Sequence, residues 1–127
     1  MNNYYSICNN CKYVDQAQMK VSSNELYTSH VGTCSVLSFY HNNKNFLAHI
    51  DAMQNNGIKL KNFISSNFTN LTSIKATIIK GSWCNDNCHS TSIIKTVLKE
   101  LNIKYQLYEK KIKWSNSIYI NKTLYIV

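Results

Sequence analysis

Cys34 and His49 are the residues of this chain whose types and spacing most directly allow acyl chemistry. A thiolate attacks carbonyl carbon well, but a free cysteine is only a few per cent ionised at neutral pH and needs an imidazole or an electropositive backbone beside it. Cys34 follows a Gly32-Thr33 turn, where its own N–H and a neighbour's can be aimed at the oxyanion that forms when sulfur adds to a carboxamide. His49 would protonate the departing ammonia and water would hydrolyse the thioester, so that carboxamide becomes carboxylate with no cofactor required. A nucleophile of this kind is expected to be alkylated fast and below the pH of an ordinary thiol. The plain alternative makes Cys34 a small buried hydrophobe and His49 a satisfied sheet residue.

The elements around the pair can place them together. Residues 34–40 and 46–52 are strand-like runs separated by His-Asn-Asn-Lys-Asn, a polar loop whose residues tolerate positive φ. With Asn42-Asn43 as a two-residue turn, Val36 lies opposite His49 and Cys34 opposite Asp51, so Cys34, His49 and Asp51 share one face. Leu37, Phe39, Phe46, Ala48 and Ile50 then form the other, apolar face, so the register that aligns the polar trio also builds a core surface.

Outside the hairpin, residues 25–29 read as a short strand and 58–68 as a weakly helical stretch. A strand over 73–79 ends at Lys80-Gly81-Ser82, and Ser90 or Thr91 can cap a helix running to about Leu101, closed by Asn102-Ile103-Lys104. Residues 105–108, 117–120 and 123–127 are candidate closing strands rich in Tyr, Ile and Val. With no repeat or linker, residues 1–127 read as one compact α+β domain, long enough to bury a core.

Thr28-Ser-His-Val-Gly-Thr-Cys34-Ser-Val, followed by Phe46-Leu-Ala-His49, resembles the active-site region of the chemoreceptor glutamine deamidases called CheD. There a Thr precedes a Gly-Ser-Cys by the same spacing and an Ala-His follows on the next strand. Leu47-Ala-His49-Ile-Asp51 also resembles the Leu-Thr-His-Cys-Asp of protein N-terminal asparagine amidohydrolase. Both families are similar to the catalytic domain of cytotoxic necrotizing factor. The resemblance therefore implies a mixed β-sandwich flanked by helices, in α/β/β/α layers. It also implies Cys34 as nucleophile, His49 as acid/base, and Thr28 or Asp51 as the group that orients His49, with Thr28 favoured. The substrate it implies is a protein or peptide carrying a glutamine or asparagine carboxamide. Fainter likeness extends to residues 74–81, similar to a strand ending in Gly-Gly in both families, and to 92–101, similar to the helix that follows it.

The remaining cysteines form two close pairs, Cys8-x2-Cys11 and Cys84-x3-Cys88, and tetrahedral structural zinc sites commonly draw two ligands from each of two loops. A structural zinc held by all four would clamp the N-terminus to the loop before the long helix; disulfides rank below it because the N-terminus lacks the basic and apolar regions of a secretory signal, which points to the cytoplasm. The formal charge is +8, with 14 basic residues that are all Lys. Without Arg the chain lacks the side chain best suited to bidentate phosphate or guanine contacts, which makes a nucleic acid partner unlikely. The runner-up function is a small basic zinc-stabilised binding module, without catalysis, contacting nucleic acid or protein through patches such as Lys110-Lys111-Ile-Lys113-Trp114. No apolar run approaches the length of a membrane span, so no membrane partner is expected.

Overall fold

The computed structural model describes residues 10–53, 56–85 and 88–127. Among these residues nine strands and two α-helices build an α+β domain in which two mixed sheets pack as a sandwich flanked by helices. The strands are β1 (Lys12–Tyr13), β2 (Met19–Ser22), β3 (Leu26–Ser29), β4 (Ser35–His41), β5 (Lys44–Ile50), β6 (Lys75–Lys80), β7 (Lys104–Leu107), β8 (Ser117–Asn121) and β9 (Thr123–Ile126), with helices α1 (Asn56–Asn67) and α2 (His89–Glu100). One sheet has the order β1-β3-β8-β9 and the other β2-β5-β4-β6-β7. The pairs β1–β3 and β6–β7 are parallel and the rest antiparallel.

The β4–β5 hairpin has the register expected from its turn. Asn42 and Asn43 both take positive φ, 51° and 62°, the pattern of a two-residue hairpin turn whose twist matches its strands. Val36 then pairs with His49 and Leu37 with Ala48. Strand alternation sorts the side chains cleanly. Leu37, Phe39, Phe46, Ala48 and Ile50 pack with Leu60 and Ile64 of α1 and with Ile94, Val97 and Leu98 of α2. Cys34, Val36 and Leu47 face the other way, into a second core with Leu26, Ile118 and Ile120 of the four-stranded sheet.

Both helices thus lie on the outer face of the five-stranded sheet. Among the described residues no helix covers the outer face of the four-stranded sheet, where the expected layering has a second one. That face carries a ladder of Tyr13, Tyr27, Tyr119 and Tyr125, directly paired across its four strands; its first three rings stand 5.1 and 5.2 Å apart, within the range for aromatic contact.

Two local details depart from the sequence reading. Helix α2 starts at His89 with Cys88 as its N-cap residue, because the hydroxyls of Ser90 and Thr91 turn instead toward Ser35 and Thr33. Strands β1 and β2 arise in a stretch that reads as polar; β2 is specified by pairing with β5, Met19 against Ala48 and Val21 against Phe46, rather than by its own pattern. The end of α2 is as expected: Asn102 takes φ 56°, and Ile103 N–H reaches back to Leu98 O at 2.9 Å, a Schellman closure.

Candidate active site

His49 lies near the end of β5 with its ring between the sheets, 2 % exposed. Its backbone is held on the β2 side by the turn at residues 15–18, through Ala17 N–H to His49 O at 2.8 Å and His49 N–H to Gln18 O at 3.0 Å. Its ring is held from the opposite sheet. Thr28 Oγ1 lies 2.7 Å from His49 Nδ1 and donates to Val14 O at 2.6 Å. A hydroxyl has one proton, so a Thr28 that donates to Val14 must accept from His49, and Nδ1 carries the ring hydrogen. Nε2 is therefore the basic nitrogen. It is buried, and among the described residues no group, Cys34 included, donates a hydrogen bond to it.

Cys34 precedes β4, on the same face of the five-stranded sheet as His49. Among the described residues it is the free thiol. It is 6 % exposed, directly beneath the exposed Thr33. Desolvation, and secondarily the charge of Asp51, pushes the thiol above its ordinary range. Desolvation pushes His49 below the ordinary imidazole value, opposed by the charges of Asp15 and Asp51. The resting pair is thus a neutral thiol and a neutral imidazole, and the fast, low-pH alkylation expected of Cys34 does not fit this environment.

The turn that carries Cys34 is clamped to the segment after β6. Gly81 N–H donates to Cys34 O at 3.0 Å, Ser82 N–H to Val31 O at 2.8 Å and Trp83 N–H to Gly32 O at 3.1 Å. Glycine is required at Gly81, where backbone blocks any side chain, and Gly32 packs against the Trp83 ring. A side chain on Gly81 would run into the carbonyls of Gly32 and Cys34, and one on Gly32 would meet the Trp83 ring at 2.6 Å. From the helix side, Ser90 donates to Thr33 O at 2.9 Å, and Ser35 Oγ lies 2.8 Å from Ser90 Oγ and 2.7 Å from Thr91 Oγ1. The turn that carries Cys34 is fixed by backbone and hydroxyl contacts on two sides.

Asp51, expected opposite Cys34, sits one step past the last hairpin pair, Ser35 with Ile50. Its Oδ1 accepts from Met53 N–H at 3.0 Å and from the Asn56 side-chain amide, so it ties the end of β5 to the start of α1. It acts on Cys34 and His49 by charge alone, and Thr28 is the residue that touches the ring. Sequence reasoning missed Val14, whose carbonyl fixes the Thr28 hydroxyl, and Asp15. The Asp15–Gln18 turn, closed by Gln18 N–H to Asp15 O at 3.0 Å, has Ala17 at φ 65°; no Gly or Asn announces it.

Of the four cysteines expected to hold a structural zinc, Cys11, Cys84 and Cys88 are among the described residues. Cys84 and Cys88 are joined as a disulfide, Cys11 is likewise disulfide-bonded, and Cys8 lies outside the described residues. Oxidised sulfurs offer no thiolate to a metal, and no group of three or more His, Cys, Asp or Glu among the described residues is placed to hold one. The close spacing that suggested metal ligands instead brings the Cys84 and Cys88 Cα atoms to 5.1 Å, within reach of a direct bond. Cys84 Sγ packs 3.3 Å from Thr33 O and 3.4 Å from Cys34 O, against the turn that carries Cys34. No helix among the described residues is long and apolar enough to cross a membrane. No family model matches the chain, and no curated protein is significantly similar to it in sequence.

Proposed function

We propose that the protein is a cysteine-dependent amidohydrolase that converts a glutamine or asparagine carboxamide of a protein or peptide to a carboxylate. The observation that carries this reading is the Val14–Thr28–His49 relay, which leaves a buried imidazole lone pair without a partner on the sheet face shared with Cys34. An unpaired buried polar atom costs about 1–3 kcal/mol, and such atoms persist where chemistry uses them. The likeness to CheD and to the asparagine amidohydrolases assigns the same roles to the same residues.

In this reading substrate binding draws the Cys34 thiol onto Nε2, since contacts that are loose without substrate tighten in the Michaelis complex. Sulfur adds to the carboxamide carbon as its proton passes to Nε2, with backbone N–H groups of the Thr33–Cys34 turn facing the oxyanion. The imidazolium returns that proton to the leaving nitrogen, ammonia departs and a thioester remains. Water, deprotonated by Nε2, hydrolyses the thioester and regenerates the thiol. No cofactor enters. The raised thiol pKa suits this sequence, because the proton needed by ammonia stays in the site until the carboxamide arrives.

Cytoplasmic residence belongs to the same reading; thiols there are mostly kept reduced, so the Cys84–Cys88 bond of this structure would be open to reduction in that compartment. The test is ammonia release from glutamine and asparagine peptides by the wild type, Cys34→Ser and His49→Ala. Loss in both variants by comparable factors is expected, because the pair acts as one unit. Full activity in Cys34→Ser sinks the proposal.

A further inference from the structure

We propose that the cavity formed by Lys80, Gly81, Tyr108, Lys110 and Lys111 is a subsite for a carboxylate side chain, so that the substrate is an acidic peptide segment. This rests on the amidohydrolase reading for its consequence and on separate residues for its evidence. The cavity, about 280 Å³, is lined by three lysines, Lys80, Lys110 and Lys111, and by a single acid, Glu109.

Its place in the fold gives it meaning. Strands β6 and β7 are parallel and end at the same edge of the sheet, the edge at which β4 begins with Cys34 and β5 ends beyond His49. Gly81 is the shared wall: it lines the cavity, and its N–H holds the Cys34 carbonyl at 3.0 Å. Tyr108 N–H bonds to Ile78 O at 2.8 Å, so the 108–111 segment leaves the sheet two strands from β4. Strands are spaced by about 4.8 Å, which puts the backbone of the 108–111 segment about 10 Å from that of β4, with Lys80 on the strand between them. An extended peptide advances about 3.3 Å per residue. A carboxylate two or three residues from the target amide would therefore reach the lysines while the amide reaches Cys34.

The same features argue against nucleic acid. A polyphosphate chain needs a track of cations, whereas this cluster is one pocket with Glu109 in its rim, and the chain has no Arg. Charge complementarity of this kind acts mainly on encounter and KM, and weakens with salt.

The test has two arms on the full chain. In the first, ammonia release is measured for glutamine peptides with Glu or Ala placed two or three residues from the amide. A KM lower by about tenfold for the Glu peptides at low salt is expected from two or three exposed ion pairs. That ratio should collapse in Lys110→Glu/Lys111→Glu and persist in Lys95→Glu/Lys99→Glu on α2. In the second, an amide-free Glu/Ala peptide is titrated into ¹⁵N-labelled protein. Saturable shifts at Gly81 and at residues 108–111, absent in Lys110→Glu/Lys111→Glu, are expected. Those shifts without ammonia release from any amide peptide would refute the hydrolase and leave the acidic-peptide site standing. Ammonia release indifferent to Glu, shifts spread evenly over the surface lysines, or tighter binding of a single-stranded oligonucleotide at the same residues would each overturn the inference.

Discussion

Replacing Thr28 by Val removes one hydroxyl and almost nothing else, and the consequences can be worked from its two bonds. The side chain is fully buried and of nearly unchanged volume, so no cavity forms; what is lost is the acceptor for His49 Nδ1–H and the donor to Val14 O. Each orphaned buried group costs about 1–3 kcal/mol. Together they should lower stability by about 2–6 kcal/mol, a large share of the roughly 5–15 kcal/mol of an ordinary domain. Urea unfolding reads this directly. The same change releases the ring proton from Nδ1, so Nε2 is no longer held as the base. Activity should fall about a hundredfold, the lower end of what general acid–base catalysis supplies. Imidazole ¹⁵N shifts should report the Nδ1–H tautomer in wild type and in Thr28→Ser, which keeps the hydroxyl, and lose it in Thr28→Val. A Thr28→Val protein within about 0.5 kcal/mol of wild type, with its tautomer unchanged, would refute the relay.

Other consequences follow from the same contacts. Cys34→Ser should end ammonia release while costing only about 1–2 kcal/mol for a hydroxyl in a sulfur's place, checked by thermal unfolding beside the assay. Stability should depend on pH in two windows. His49, lowered when folded, stays neutral while the unfolded chain takes up a proton, so stability falls as pH drops below about 6.5. Cys34, raised when folded, keeps its proton while the unfolded chain loses one, so stability also falls as pH climbs above about 8.5; denaturant midpoints across pH 5–10 should show both slopes, and His49→Gln should flatten the acid one. Gly81→Ala should cost about 1–3 kcal/mol, since its Cβ meets backbone carbonyls that cannot turn aside, and Cys34 alkylation should speed up as the turn loosens. Reducing Cys84–Cys88, which closes a short loop, should cost about 2 kcal/mol by the chain-entropy account, seen as a lower Tm of the full protein in dithiothreitol.

The parts of this structure that were legible in the sequence are those set by local chemistry. Asn42-Asn43 suits a two-residue turn, and the register such a turn implies, Val36 opposite His49, is the one the hairpin adopts. The strand and helix at residues 73–101 announced themselves by β-branched residues and by the apolar stripe Ile94, Val97, Leu98. What was not legible depends on partners distant in sequence. Strands β1 and β2 have no pattern of their own and exist because β3 and β5 offer edges. Val14 contributes a carbonyl, which no side chain advertises. Asp51 had the right position for a third catalytic residue, and only the nearby Met53 N–H and Asn56 amide show that its Oδ1 is already engaged. The second cysteine pair had the spacing of metal ligands, and the same closeness that suggested zinc permits a disulfide.

The central claim is that Cys34 hydrolyses a carboxamide with His49 as its base. It is tested most directly by incubating the protein with a mixed set of glutamine and asparagine peptides in H₂¹⁸O and reading the products by mass spectrometry. Wild type should convert an amide to an acid carrying one ¹⁸O in the new carboxylate, and Cys34→Ser should convert none. No conversion by the wild type, or equal conversion by Cys34→Ser, would contradict it.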